Sequence, residues 1–552
     1  MKQMQYNRIV VGLLVAGFGL RLMWALLPLQ TLLLALEDDA WMVTAIARHW
    51  ALGHGITADG LTPTNGFHPL YPLTFGAIPF VFAPHDLALG FRLNLVICAL
   101  LNTLALLPLY GLLRHLSRPN LALLGTAIFA LNPYFVRTSV NAMETSLALL
   151  TLLTFWWYAM QPTPLTLRRS VILGVLAAVA TLARLDSLVA AVFIGVWLLA
   201  CELRIRRITL WPFVYGGVTL LLLVPYFGRN VLVFGAISPS SGRALAYLHS
   251  YRESFTFSGG VQLLAYNTAV FLGWLSAWWL AGLIVLLGFG LWRLRGSVLM
   301  QLSPLVGYAL VLTFYYSYIQ QQGSPRYYGG VSIVLVAVLL AGIATITVRT
   351  TQRVGRFVAL ASVALIIGAN TAETVNFLRN QRTAAASSQT ASYQTALWIR
   401  DHLPQDARLA AQNSGIMQYY SGRVVINFDG KLNHEIIPVL EQRELDRYLA
   451  SKGIQYVVDL PEVEGYLEFY SARYSEAQPH LEMGTMGKLR VYARLIAYKL
   501  DIGAPVALDV RVPTRLKRPF HDDATIIYTA PLPNNPQRAV TVYRLAPSFG
   551  KP

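Results

Sequence analysis

The sequence is short of charge. Asp, Glu, Lys and Arg make up 13% of its 552 residues, while 55% are apolar, against roughly 25% charged in an ordinary soluble protein. That balance excludes a soluble enzyme. Cysteine is scarcer still: Cys98 and Cys201 are the only two, both in or beside apolar segments, which excludes a disulfide framework and leaves the redox compartment open. The chain also lacks a repeat of solenoid period, a low-complexity tract, a phosphate-cradling P-loop and a Cys/His cluster of metal-ligand spacing.

What charge there is falls unevenly. Residues 1–375 hold 10 acidic and 23 basic residues, and the remaining 177 hold 17 acidic and 21 basic. Composition therefore divides the chain into a membrane body, 1–375, and a soluble tail, 376–552. The net charge of +17 does not point to nucleic acid, because most of it sits in short connections between apolar runs, where it reads as a topology signal.

The first apolar run, Ile9 to Leu36, is too long for a signal-peptide core and has no small-residue cleavage site after it, so it reads as an uncleaved first membrane helix. Ten further runs follow, at 88–113, 119–135, 141–160, 170–184, 187–200, 210–228, 266–291, 298–317, 330–348 and 357–375. About eleven crossings result, at roughly 20 residues each. With Lys2 and Arg8 in the cytoplasm, the basic connections at Arg114 and Arg118, Arg168 and Arg169, Arg204 to Arg207, Arg293 and Arg295, and Arg349 to Arg356 all fall on the cytoplasmic side. This parity requires the run Pro69 to Pro84 to lie in the interface or re-enter. It leaves the tail outside the cytoplasm, together with the loops 37–87, 229–265 and 318–329.

The tail reads as mixed α/β. An amphipathic helix, Tyr393 to His402, is followed by strand-like runs at Arg408 to Gln412, Arg423 to Phe428 and Gln455 to Asp459 and a helix at Val439 to Ser451. The more β-like stretches Arg490 to Leu495, Thr525 to Thr529 and Ala539 to Arg544 come last.

Three of the ten acids of the membrane body are consecutive: Glu37, Asp38 and Asp39. Carboxylates at a membrane boundary are costly to desolvate and face water, a cavity or a partner. One of them can serve as a general base while its neighbour orients it or raises its pKa. The competing reading is that Asp38 or Asp39 caps the following helix, Ala40 to Leu52. Adjacent carboxylates can also hold a divalent ion through oxygen ligands.

The surrounding order is informative. Asp38-Asp39-Ala40-Trp41 leads into a short helix, then Gly53-His54-Gly55, then Thr62 to Pro72 with Asn65-Gly66 and His68-Pro69-Leu70-Tyr71. Further along come Asn132-Pro133, Asn141 to Thr145, Ala183 to Asp186, Arg229 to Pro239, Ser324 to Tyr328, Trp398 to Pro404, and Gly415 with Tyr419 to Arg423. These elements, in this order over residues 38–423, resemble the GT-C superfamily of polyprenyl-phosphate-dependent glycosyltransferases, which includes protein mannosyltransferases, aminoarabinose transferases and arabinofuranosyltransferases. The sequence departs from the family at Ala142, where glycine is more frequent, at Leu185, where proline is usual, and at Ser240, where asparagine often follows Pro239.

The resemblance implies a polytopic α-helical membrane protein of GT-C type, with its first outer loop at 37–87 and a C-terminal extracytoplasmic α/β domain, in a bacterial inner membrane. It implies an inverting glycosyltransferase that moves a sugar from a polyprenyl-phosphate donor to a hydroxyl of a glycan, lipid or protein acceptor. Asp38 is then the base, and Asp39 orients it or binds sugar hydroxyls. A leaving phosphate calls for a fixed cation, and Arg pairs two phosphate oxygens well. Arg229 and Arg326, in family-like elements, are the first candidates, with Arg243 and Arg252 also on the outer side and snorkelling to lipid headgroups the competing role. Glu144, His68 and Tyr327 are candidate substrate contacts, although Glu144 also suits a helix start and tyrosines populate interfacial belts. Arg184 and Asp186 read as a structural pair. No metal or other cofactor is expected, because a sugar-monophosphate donor lacks the diphosphate that calls for one. The other readings are a transporter or flippase of a lipid-linked glycan, opposed by the gathering of charge at one face, and a non-catalytic assembly subunit.

Overall fold

The computed structural model describes residues 2–206, 209–250, 296–320, 324–349, 388–479, 511–533 and 535–550, together with isolated residues between 364 and 375. Six of the described helices are long and apolar enough to cross a membrane: Met4–Ala25, Leu87–Leu116, Leu185–Arg204, Trp211–Phe234, Val298–Ser317 and Pro325–Ala344. A seventh crossing is formed if the bent pair Pro119–Leu131 and Pro133–Ser139 counts as one span. The protein is thus a multi-pass membrane protein. Two of the eleven expected runs, 266–291 and 357–375, lie almost wholly outside the described residues. Those at 141–160 and 170–184 form the shorter helices Thr145–Ala159 and Leu167–Ala183.

The first apolar run is not one helix to Leu36. Its helix ends at Ala25, and a separate short one, Leu29–Leu33, follows Pro28. Pro28 has no N–H to give and keeps the residue before it out of helical geometry, so a continuous apolar run does not make a continuous helix. The run Pro69 to Pro84 forms two helices, Leu70–Leu73 and Ile78–Phe82, each far short of the roughly 20 residues a crossing needs.

The chain forms two compact units that do not follow a single cut: Met1–Leu26, Leu95–Pro225 and Ser258–Arg382 in the first, and Leu27–Asn94, Tyr226–Phe257 and Thr383–Pro552 in the second. The expected boundary at 375/376 opens onto 376–387, which lie outside the described residues.

The first unit is a helical body around an apolar core that includes Leu109, Leu112, Phe129, Phe155, Trp156, Ile194, Leu305 and Leu340. Inside it Arg21 is fully buried. Its guanidinium donates to Asn102 Oδ1 at 2.7 Å and to the carbonyls of Gly17, Ala130 and Phe129 at 2.9, 2.8 and 2.9 Å. This brace satisfies carbonyls that the chain exposes where the helix Pro119–Leu131 breaks. The 62° bend there has a local cause: Asn132 Oδ1 accepts from the N–H groups of Tyr134 and Phe135 at 2.9 and 3.1 Å, capping a new helix that starts with Pro133, the position at which proline is tolerated. The Asn-Pro element is therefore a helix restart. Ala142, where glycine is more usual in the resembling family, sits at φ 57, in the left-handed region that glycine occupies at least cost.

The second unit contains the loop after the first helix and the tail. In the tail, strands β1 (Arg408–Ala411), β2 (Val424–Asn427) and β3 (Tyr456–Asp459) run parallel, and β4 (Ser475–Pro479) pairs with β5 (Arg511–Leu516) in a separate two-stranded sheet. The hairpin β6 (Ala524–Leu532) and β7 (Asn535–Leu545) continues the main sheet antiparallel, giving the order β2-β1-β3-β7-β6. The sequence anticipates β1, β2, β3, β6 and β7, while Arg490 to Leu495 lie outside the described residues. The expected helix Val439 to Ser451 is two, Ile436–Gln442 and Leu445–Ser451, broken at Arg443 with φ 57. The Arg443 guanidinium holds that break by donating to the carbonyls of Phe469 at 2.7 Å and Ser475 at 3.0 Å.

Replacing Arg21 by Met leaves several buried acceptors without a donor and should cost about 3 kcal/mol or more. A lowered thermal midpoint in detergent, partly recovered by Arg21→Lys, is expected; an unchanged midpoint for Arg21→Met would remove the brace.

Candidate active site

Asp38 precedes the helix Asp39–Ala51 but makes no side-chain bond to that helix's own N–H groups. Its carboxylate reaches instead to the tail. Oδ2 accepts from the Gly415 N–H at 2.8 Å and Oδ1 from the Ile416 N–H at 2.9 Å, 377 and 378 residues further along the chain. These are orphan donors of the helix Ser414–Ser421, whose own cap residue, Asn413, provides no side-chain bond. Asp38 therefore does cap a helix, but in another part of the sequence, and it occupies the place an anion takes at a helix N-terminus.

The approach is tight. A methyl group at Gly415 would lie 2.5 Å from the Asp38 carbonyl oxygen and 2.8 Å from the Met42 nitrogen, so this position requires glycine. Trp41, fully buried, stacks on Phe91 at 5.1 Å, and Phe91 meets Tyr419 at 6.3 Å, while the Tyr419 hydroxyl donates to the Leu87 carbonyl at 2.7 Å. At the far end of the Asp39–Ala51 helix, Gly53 and Gly55 adopt φ 78 and 87, the turn the sequence announces.

A second set of close contacts fixes the loop after β2. Ser240 N–H donates to Asn65 Oδ1 at 3.1 Å, and Ser240 Oγ donates to the Lys431 carbonyl at 3.0 Å. A methyl group at Gly66 would lie 1.6 Å from that same carbonyl oxygen. Lys431 itself is clasped by Asp429, whose Oδ1 accepts from the Lys431 N–H at 3.0 Å and whose Oδ2 lies 3.3 Å from Nζ. The ammonium also feels the charges of Asp39 and Asp38.

Burial pushes the Asp38 carboxyl up to about 7, against the pull of the two backbone donors, with the like charge of Asp39 adding to the rise and Lys431 opposing it. Asp39 is partly exposed. His68 is partly buried just ahead of the helix Leu70–Leu73. The Arg229 guanidinium lies over the Phe234 ring, 5.0 Å from its centroid, and Phe234 meets His434 edge-on at 4.8 Å. Arg252 lies outside the described residues.

Glu144, Arg326 and Tyr327 come together in the first unit. Arg184 links them, donating to Glu144 Oε1 at 3.1 Å and to Asp186 Oδ2 at 2.8 Å. The Tyr316 hydroxyl donates to Asp186 Oδ2. Tyr327 receives both guanidiniums on its ring, Arg184 at 4.7 Å and Arg326 at 5.0 Å, and Arg326 Nη2 donates to its hydroxyl at 3.1 Å. The Arg184–Asp186 pairing is present as the sequence suggests, but it is part of this larger network. Among the described residues, no group of three or more His, Cys, Asp or Glu is arranged to hold a metal ion.

Residues 378–496 match the model of a domain of unknown function (DUF8728). No curated protein matches. Among solved structures, the chain is similar to the oligosaccharyltransferase of Archaeoglobus fulgidus bound to a tethered acceptor peptide, at 12% identity and a TM-score of 0.53, covering 86% of this chain and 72% of that one. The same enzyme in complex with an inhibitory peptide and a dolichol-phosphate gives 13% identity and a TM-score of 0.54, covering 86% and 73%. ArnT from Cupriavidus metallidurans bound to undecaprenyl phosphate is similar at 16% identity and a TM-score of 0.49, covering 86% and 96%. The chain has a GT-C fold, with apolar membrane helices and a C-terminal sheet domain.

Gly415→Ala drives a methyl group into the Asp38 backbone and should loosen the seat of the carboxylate. A thermal midpoint at least several degrees lower is expected; wild-type stability would mean that the loop and the tail helix do not fit as tightly as described.

Proposed function

We propose that this protein is an inverting glycosyltransferase that moves a sugar from a polyprenyl-phosphate donor to an acceptor hydroxyl on the outer face of a bacterial inner membrane. The observation that carries the reading is the seat of Asp38. Its two oxygens are fixed by backbone donors, and each keeps a second lone pair. Its carboxyl titrates near neutrality, where a general base is both substantially ionised and basic enough to take a proton. The fold supports the reading, since the similar archaeal oligosaccharyltransferase was solved with a dolichol-phosphate.

In the mechanism, the acceptor hydroxyl gives its proton to Asp38 as its oxygen attacks the anomeric carbon. The bond from that carbon to the phosphate oxygen breaks on the opposite face, and the electron pair leaves with polyprenyl phosphate. Asp39, the more exposed of the pair, raises the basicity of Asp38 by like charge and binds sugar hydroxyls. Arg229 and Arg326 are the proposed phosphate contacts, because a planar guanidinium pairs two phosphate oxygens as charge develops there. Glu144, Tyr327 and His68 are proposed to contact substrate. The departing group is a monophosphate, and the reaction as proposed uses no metal ion.

Labelled sugar transfer from a panel of polyprenyl-phosphate hexoses and pentoses into membrane acceptors tests this directly. Wild type should transfer from at least one donor. Asp38→Asn, purified as folded protein, should lose at least about 100-fold, the usual share of a general base. No transfer from any donor, or full activity in the variant, would bring transport or assembly forward instead. Transfer should also persist in EDTA; loss there, restored by a divalent ion, would overturn the metal-free mechanism.

A further inference from the structure

The helix Asp39–Ala51 begins beside Asp38 and ends between two histidines, His49 in its last turn and His54 just past it. At that end the Gly53 N–H donates to the Trp50 carbonyl at 3.1 Å and the His54 N–H to the His49 carbonyl at 2.9 Å, with Gly53 at φ 78. These bonds about a left-handed glycine are the Schellman closure of a helix, which sets the residue two past the cap against the residue three before it, frequently in an apolar contact. Here both positions hold histidine, and the rings meet nitrogen to nitrogen: His49 Nδ1 lies 3.1 Å from His54 Nδ1, with the ring centroids 5.4 Å apart. The following loop closes on the same ring. Asp59 Oδ1 accepts from the Thr57 hydroxyl and from the N–H groups of Leu61 and Thr62 at 3.0, 2.9 and 2.7 Å, and Gly60, at φ 76, passes so near that a methyl group there would lie 3.2 Å from His49 Cε1. The spacing of five residues hides the pair in the sequence, since ligand pairs on a helix stand three or four apart.

Two imidazoles that face each other through Nδ1 hold at most one proton between these nitrogens, so in the protein alone one ring donates and the other accepts. The same arrangement is the bite of two ligands on one ion. A tetrahedral site with Zn–N bonds of about 2.0–2.1 Å sets its nitrogens about 3.3–3.4 Å apart, and a square-planar Cu(II) or Ni(II) site with similar bonds sets neighbouring nitrogens about 2.8–2.9 Å apart. The observed 3.1 Å lies between them. We propose that His49 and His54 form a binding site for a divalent transition-metal ion of the zinc or copper class, held through both Nδ1 atoms and open to water or a further ligand at its remaining positions. Each ring gives its Nδ1 lone pair to the ion and carries its proton on Nε2, so binding releases no net proton. Burial, with the charges of Arg48 and His54, holds His49 down at about 4 against the pull of Asp59, which keeps it in the neutral form a metal ligand requires. His54 is exposed and His49 partly so, and an ion reaches the pair from solvent. Two protein ligands are fewer than the three or four of a resident zinc site, so the ion is exchangeable. Ten residues separate His49 from Asp39, about 15 Å along the helix, and the ion takes no part in the proposed transfer.

The full-length protein, untagged and in detergent at neutral pH, is titrated with Zn(II) by calorimetry and with Cu(II) by electron paramagnetic resonance, with no sugar donor present. Wild type should take up one ion per chain, and its copper spectrum should show coupling to two nitrogens. His49→Gln and His54→Gln should each weaken uptake by more than the roughly 10-fold that loss of an outer partner costs a metal site, and each should lose the two-nitrogen pattern. His54 is exposed beyond the helix end, so His54→Gln should purify as folded protein and decides the matter by itself if His49→Gln does not. Asp39→Asn should bind as wild type does. No uptake by wild type, or uptake and spectrum unchanged in His54→Gln, would overturn the proposal. Loss of the ion in Asp39→Asn with His54→Gln unaffected would overturn it too, by moving the ion to the acidic pair. Failure of every donor to transfer would remove the proposed function without touching this titration.

Discussion

Two hydrogen bonds from backbone N–H groups to one carboxylate organise the second unit of this protein. Asp38 gives the helix Ser414–Ser421 the cap that Asn413 does not provide, and the first loop and the tail are joined at that point. A buried carboxylate is costly unless its oxygens are satisfied. Here the donors are backbone groups that would themselves be orphaned at a helix start. Each side meets a requirement of the other, and Gly415 lets the two backbones come close enough to do so.

The same seat gives the carboxyl its chemistry. Backbone donors and Lys431 favour the ionised form, whereas burial and Asp39 favour the protonated one, and the balance falls near neutrality. An exposed acid pair would titrate far lower, and a fully enclosed unpaired one would stay protonated. In the first unit, opposite charges meet differently: Arg184 pairs with both Glu144 and Asp186, Tyr316 donates to Asp186, and the Arg184 guanidinium lies over the Tyr327 ring.

Much of this was legible in the sequence, and the limits have physical reasons. Consecutive acids after an apolar run stand out because the membrane body has so few, and short strand-like runs, the first three interspersed with helix-like ones, mark the five strands of the tail's main sheet. Apolar content alone did not show the break at Pro28 or the one at Arg443, since both depend on backbone geometry more than on hydrophobic pattern. Local rules point Asp38 to the adjacent helix, whereas its partner lies 377 residues away, beyond their reach. Nothing in the sequence marks Lys431, whose charge bears on Asp38 only in the folded chain. Ala142 was legible as a departure from a glycine position, and its positive φ shows why glycine is used there.

The pH dependence of sugar transfer by the wild-type protein, with the donor saturating, tests the role of Asp38 most directly. The rate should rise with pH through a single inflection near 7, as the seated Asp38 carboxyl loses its proton. An inflection near 4, the range of an ordinary carboxylate, would contradict it.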